Sequence, residues 1–284
     1  MRVALAVVVS LSLSASAFAA PSAIFTDPAP DPAHPAQLTV LHIPTHGVKV
    51  NGVVYRPSGV GPHPTLVLFH GFPGNEKNLD LAQAARRAGW NAVSFNYRGS
   101  WGSPGVFRFA QNLEDADAVL AYLRDPANAK RLGVDPQRIA VAGHSMGGWI
   151  VASLAAHDHE LMGAVLISAA DMAALNDLPR ETLLALMNDS MEALAGVTAD
   201  SMVDDLRSIS MSRFSGAAPK LVSVPLLVLT SDDGLAPTSD ALVRGIQARG
   251  GKRVTALHVA TDHSWSDHRI ALESAVLEWL AGLK

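Results

Sequence analysis

The chain has 284 residues, 49% of them hydrophobic, enough for one large core, and a single α/β domain is the simplest organisation for it. Its 22 Lys and Arg against 26 Asp and Glu give a formal charge of −4 with no basic block, so nucleic acid is not an expected partner. Cysteine is absent, which excludes disulfides, thiolate metal sites and a cysteine nucleophile.

The opening MRVALAVVVSLSLSASAFAAPSA joins one Arg, an apolar run from Val3 to about Leu13 and small residues ending in Ala17-Phe18-Ala19. That is the pattern of a secretory signal peptide over residues 1–19, and the run is shorter than the roughly 20 residues that span a bilayer. An exported protein, periplasmic or secreted, is therefore expected, with no stable membrane anchor after cleavage. Residues 20–37 are rich in Pro and lack a hydrophobic period, which predicts an extended arm outside the core.

From residue 38 to 284 short apolar runs alternate with helical patterns. LTVLHI and VKVNGVVYRP predict an opening antiparallel pair. PTLVLFHG is a nearly continuous apolar run, suited to a strand buried on both faces. A helix over NLDLAQAARRAGW, a strand over NAVSFNYRG and a helix over NLEDADAVLAYLRDP follow, the last with Leu113, Ala116, Leu120 and Leu123 on one stripe. Then come RIAVAG, a helix after Ser145, GAVLISAA, PLLVLTSDD and RVTALHVA. This alternation predicts a mainly parallel sheet covered by helices. One connection, residues 171–220, is far longer than the two to six residues usual between such elements. Leu183, Met187, Met191 and Leu194 form one stripe in it and Met202, Leu206 and Ile209 another, so it reads as a short helical lid. Met187 and Met191, with Met172, Met202 and Met211, could line an acyl pocket; docking of the lid on the body explains the same residues equally well.

The chemistry centres on IAVAGHSMGGW, where Ser145 stands between Gly143 and Gly147 after a strand and before a helix rich in small residues. Such a strand-to-helix turn presents a serine as a nucleophile, and the glycines let two backbones approach where a Cβ would clash. A serine hydroxyl needs a histidine base and a carboxylate that orients it. Asp232 and Asp233 in SDDGLAP both follow a strand, and His258, His263 and His268 compete for the base. His258 lies within a predicted strand as a half-buried packing residue and His268 in the first turn of the last helix, whereas His263 is on the loop between. His70, His144 and Arg98 read as residues that hold loops in place. His157–His159 and the pair His42 and His46 match no metal motif, and no G-x-G-x-x-G follows a strand, so no metal and no cofactor are expected.

HGFPGN, NYRGSWGS, GHSMGG, SDDGLAP and DHS occur in the order found in α/β-hydrolases, and from about Leu38 onward the chain resembles that superfamily. Local motifs are similar to feruloyl-type and carboxyl esterases, and others to the catalytic domain of prolyl oligopeptidase-type peptidases. The resemblance implies an α/β-hydrolase fold with a mainly parallel eight-stranded sheet. It implies Ser145 as nucleophile, His263 as base, and Asp233 as acid, because relatives place the carboxylate four residues before a proline, here Pro237. Asp232 would then only shape the turn. An oxyanion hole of the Phe72 and Met146 backbone N–H groups is implied as well. The expected activity is cleavage of a small-molecule carboxylic ester through an acyl-enzyme. A small peptidase or amidase is the enzymatic alternative, disfavoured by HGF in place of HGG and by the lack of room for a propeller before the first strand. A binding protein on the same fold is the non-enzymatic one. The sequence does not specify an oligomeric state.

Overall fold

The computed structural model describes residues 20–208 and 213–283, so the expected signal segment, Ile209 and Met211 lie outside the described residues. Eight strands form one sheet: β1 Gln37–Thr45, β2 Val48–Arg56, β3 His63–Phe69, β4 Asn91–Phe95, β5 Val134–His144, β6 Gly163–Ile167, β7 Leu226–Thr230 and β8 Val254–His258. Their spatial order is β1-β2-β4-β3-β5-β6-β7-β8. β1 pairs antiparallel with β2 and β2 with β4; every later pairing is parallel. The expected opening antiparallel pair and mainly parallel sheet are both present.

Strand periodicity divides the core. Along β3, Leu66 and Leu68 face one side and Val67 and Phe69 the other, each almost fully buried. The first side packs against α1 Leu79–Arg87 through Leu81, Ala82 and Ala85, and against α9 Arg269–Gly282 through Leu272, Val276 and Leu280. The second side is larger. It is covered by α2 Phe109–Arg124, α3 Pro126–Leu132, α4 Met146–Ala155 and α8 Ala236–Gln247, with Val119, Leu120, Ile150 and Leu242 among the buried contacts. The start and stop of α3 follow its sequence: Asp125 accepts the Asn128 N–H at 2.9 Å, Pro126 opens the first turn, and Gly133 ends it at φ +67°.

The long connection folds as α5 Arg180–Asn188, α6 Ala199–Ser208 and α7 Phe214–Ala217. Each expected stripe is helical in part, with Leu183 and Met187 in α5 and Met202 and Leu206 in α6, whereas Met191 and Leu194 lie beyond the end of α5; what the stripes bury also differs from the acyl-pocket reading. Met187 and Leu183 are fully buried, Met202 and Leu206 nearly so, and all four join the larger core; Met191 packs partly buried against it. α6 is tied to α2 by Asp205, whose carboxylate accepts the Phe109 N–H at 2.7 Å and so caps a helix start. The segment is thus docked on the body.

The Pro-rich arm also differs from expectation. A 3-10 turn at Ser22–Ile24 lies against α1 and α9, where the Arg87 guanidinium donates to the carbonyls of Ala23 and, at 3.0 Å, Ile24. At its far end the His34 carbonyl accepts the Gly59 N–H at 2.9 Å. Among the described residues no helix is long and apolar enough to cross a membrane.

Candidate active site

Ser145 links β5 to α4 with φ +57° and ψ −122°, a conformation that costs a non-glycine residue energy and persists only when its surroundings enforce it. Those surroundings are specific. Its N–H donates to the Ile167 carbonyl at 3.0 Å, and its own carbonyl accepts from Gly148 at 2.9 Å and Ala170 at 3.0 Å. A Cβ on Gly143 would fall on the Gly147 carbonyl, and one on Gly147 on the Phe69 carbonyl. Glycine is therefore required at both positions by close backbone approach.

His263 stands on the loop after β8, with Nδ1 2.7 Å from Asp233 Oδ2. An ionised carboxylate only accepts, so Nδ1 carries a proton, and in the neutral ring that tautomer leaves Nε2 with its lone pair. The Asp233 side chain is only 4% exposed. Burial alone would raise its carboxyl, but hydrogen bonds from His263, the Leu235 N–H and Ser231 outweigh that and hold it below the ordinary carboxylate value. Ser145 and His263 line one cavity of about 200 Å³ together with Phe72, Glu76 and His144. Their side chains are not hydrogen-bonded to each other here; such bonds often tighten only when substrate binds.

Asp232, one residue away, points elsewhere. It accepts from His258 Nε2 at 3.1 Å, while His258 Nδ1 meets Thr230 Oγ1 at 3.0 Å. This corrects two expectations: Asp232 does more than shape a turn, and His258 is exposed on the edge strand instead of half-buried. His268 immediately precedes α9 beside Asp267.

The loop from His70 to Gly74 is fixed from both ends. Tyr97 donates its hydroxyl to the His70 carbonyl at 3.2 Å, and the Trp101 indole donates to the Pro73 carbonyl at 2.8 Å. Between them the Phe72 ring packs against Phe107 and Phe109 at 5.8 and 5.2 Å. Among the described residues, neither the Phe72 N–H nor the Met146 N–H has a hydrogen-bond partner in the protein. Both are therefore free to donate to a group bound beside Ser145. His70 is buried, its Nδ1–H donating to the Gly71 carbonyl at 2.8 Å, and burial pushes its imidazole down to about 3, so it remains neutral. Arg98 anchors its loop through Asp115 at 2.6 Å, as the sequence suggested.

Several positioning contacts were not legible in the sequence. The buried His144 ring donates from Nε2 to the His263 carbonyl at 2.8 Å; burial and the nearby His263 lower its imidazole to about 4, which keeps it neutral. Arg269 donates to the Ser264 carbonyl at 2.9 Å and is itself held by Asp80 at 2.6 Å. Near Asp233 runs a short chain of buried polar contacts. The Trp265 indole N–H donates to Ser168 Oγ at 3.0 Å, and the Ser168 and Ser231 hydroxyls are 2.7 Å apart. Because the indole can only donate, Ser168 accepts from it and keeps its own proton available for Ser231. No described residue of 171–220 lines the Ser145 cavity, so Met187 and Met191 are not the substrate-binding residues expected from the sequence. Their apolar stripe is satisfied by the core.

Residues 73–266 match the alpha/beta hydrolase fold family. The chain belongs to that family. A carboxylesterase structure, EstE1 from a metagenomic library, superposes with a TM-score of 0.64 at 23% identity, covering 93% of this chain and 92% of that one. Among curated relatives, an uncharacterised 31.7 kDa Escherichia coli protein is 28% identical over 61% of this chain and 65% of its own length. The carboxylic ester hydrolase LipN of Mycobacterium tuberculosis is 32% identical over 42% of this chain and 32% of its own length. The chain thus spans less than two thirds of either relative.

Proposed function

We propose that the chain is an exported serine hydrolase that cleaves carboxylic esters of small molecules. The carrying observation is the Asp233–His263 pair at 2.7 Å on the cavity that holds the strained Ser145. In this reading Ser145 Oγ bonds to the ester carbonyl carbon while His263 Nε2 takes its proton. The carbonyl oxygen becomes an oxyanion that accepts from the Phe72 and Met146 N–H groups. Collapse breaks the bond to the alcohol, which leaves with the proton from His263. Water then attacks the acyl-enzyme by the same route and releases the acid. The similarity to LipN and EstE1, both named as ester hydrolases, supports the reaction class.

The cavity of about 200 Å³ is below the roughly 300–1,000 Å³ of sites that enclose drug-sized ligands, which favours short acyl groups. On the purified protein, p-nitrophenyl acetate and butyrate should be hydrolysed with higher kcat/KM than the octanoate, and aminoacyl p-nitroanilides far more slowly than any ester. Comparable turnover of the anilides would replace the esterase reading with a peptidase one.

Export rests on the A-x-A pattern at Ala17–Ala19. Protein recovered from outside the cytoplasm should begin at about Ala20. A chain still beginning at Met1 and held in the membrane fraction would point to an uncleaved anchor instead.

A further inference from the structure

Among the described residues a second cavity is larger than the one at Ser145. It encloses about 720 Å³ at the opposite end of the sheet, where the N-terminal ends of β3 and β5 meet the last residues of the Pro-rich arm. His63 at the start of β3 lines it, whereas Gly71, two residues past the end of that strand, faces Ser145. Seven strand residues at about 3.3 Å each therefore keep the two cavities roughly 20 Å apart.

The charge of this cavity runs against that of the chain. Among the described residues its lining holds Arg56, Arg124, Lys130, His34 and His63 but no Asp or Glu, in a protein whose formal charge is −4. Arg124 is neutralised by Asp158, which it meets at 2.6 and 3.1 Å. Arg56 and Lys130 are different: neither has a carboxylate partner among the described residues. Arg56 donates from one terminal nitrogen to Gln37 Oε1 at 3.1 Å, its cross-strand neighbour, and its buried Nε has no hydrogen-bond partner. Five prolines form much of the wall, a rigid apolar surface that loses little freedom when something packs on it.

We infer that this cavity is a binding site for a small organic anion, with the Arg56 fork and the Lys130 ammonium taking a carboxylate or phosphate group and the proline wall taking a flat apolar body. A planar guanidinium pairs with either anion through two parallel hydrogen bonds, and Lys130 adds a point charge. The arm acquires a role in consequence, since residues 33–37 close one side of the site. The site does not depend on the proposed esterase reaction.

Benzoate and phenyl phosphate are the two probes, titrated into the purified protein by calorimetry and followed by the histidine ring signals in NMR. Saturable binding is expected from at least one, weakened as salt is raised. The His63 ring signals should shift and those of His263 should not. Arg56→Gln should weaken binding about tenfold and Lys130→Gln several-fold, with hydrolysis of p-nitrophenyl acetate unchanged. Tighter benzoate assigns the site to carboxylates and tighter phenyl phosphate to phosphate esters. Should Arg56→Gln fail to fold, the exposed Lys130→Gln variant and the wild-type His63 shifts decide the matter. No saturable heat and no His63 shift with either probe up to roughly 10 mM, an affinity too weak to count as a site, overturns the inference. So does binding that both variants leave untouched, or shifts confined to His263.

Discussion

Asp233→Asn should lower kcat on p-nitrophenyl acetate by about 10⁴-fold, while Asp232→Asn should stay within about tenfold of the wild type. The asymmetry follows from two adjacent carboxylates facing different histidines. Asp233 accepts from His263 Nδ1 at 2.7 Å, and in the proposed mechanism this leaves Nε2 free to take a proton from Ser145. An Asn there can present its NH₂ group to the ring, which favours the other tautomer and puts the proton where the base must act. Asp232 pairs with His258 on the exposed edge strand β8, away from Ser145, so its loss removes only a solvent-screened contact. Steady-state kinetics of the two variants decide it. A large loss in Asp232→Asn with little in Asp233→Asn would exchange their roles.

The largest effect on stability is expected from Asp115→Ala. Asp115 is completely buried in α2 and satisfies three donors from two other segments: the Thr45 hydroxyl at 2.8 Å, Arg98 Nε at 2.6 Å and the Arg98 N–H at 2.8 Å. Truncation leaves a buried N–H and a hydroxyl without partners and takes from the Arg98 guanidinium its buried counter-ion. Breaking such a pair costs about 3–5 kcal/mol, on the order of 10 °C in the midpoint of thermal unfolding. The same loop carries Trp101, which holds the Pro73 carbonyl beside Phe72, so esterase activity should fall along with stability. By contrast Arg180→Ala, which breaks exposed pairs with Asp200 and Asp204, should leave the midpoint close to the wild type. Equal midpoints for the two variants, followed by circular dichroism, would show that the buried pair is not a structural anchor.

What the sequence disclosed and what it withheld follow from how each feature is encoded. β3 was legible because all five residues from Thr65 to Phe69 are buried, on two faces, and a strand covered on both sides must be apolar throughout. The Ser145 turn was legible because close backbone approach admits only glycine at 143 and 147. Composition could not separate Asp232 from Asp233, since the difference lies in the direction of two neighbouring side chains. The stripes of α5 and α6 announced that one face of each helix is covered, but a stripe does not say by what. Docking of the arm was invisible because Arg87 reaches backbone carbonyls, which leave no side-chain pattern at residues 23 and 24. The contacts from Trp265 through Ser168 to Ser231 join three separate loops, and each residue by itself is unremarked in the sequence.

Mass spectrometry of the protein after treatment with a fluorophosphonate tests most directly whether Ser145 is an activated nucleophile. Only a serine with a working base reacts readily with such a probe, and Asp233, His263 and the two free N–H groups are arranged to provide that activation. A single adduct is expected, on the peptide containing Ser145, with loss of esterase activity in proportion to labelling and no adduct in Ser145→Ala. An unlabelled wild-type protein that nevertheless hydrolyses esters, or an adduct that persists in Ser145→Ala, would contradict the assignment.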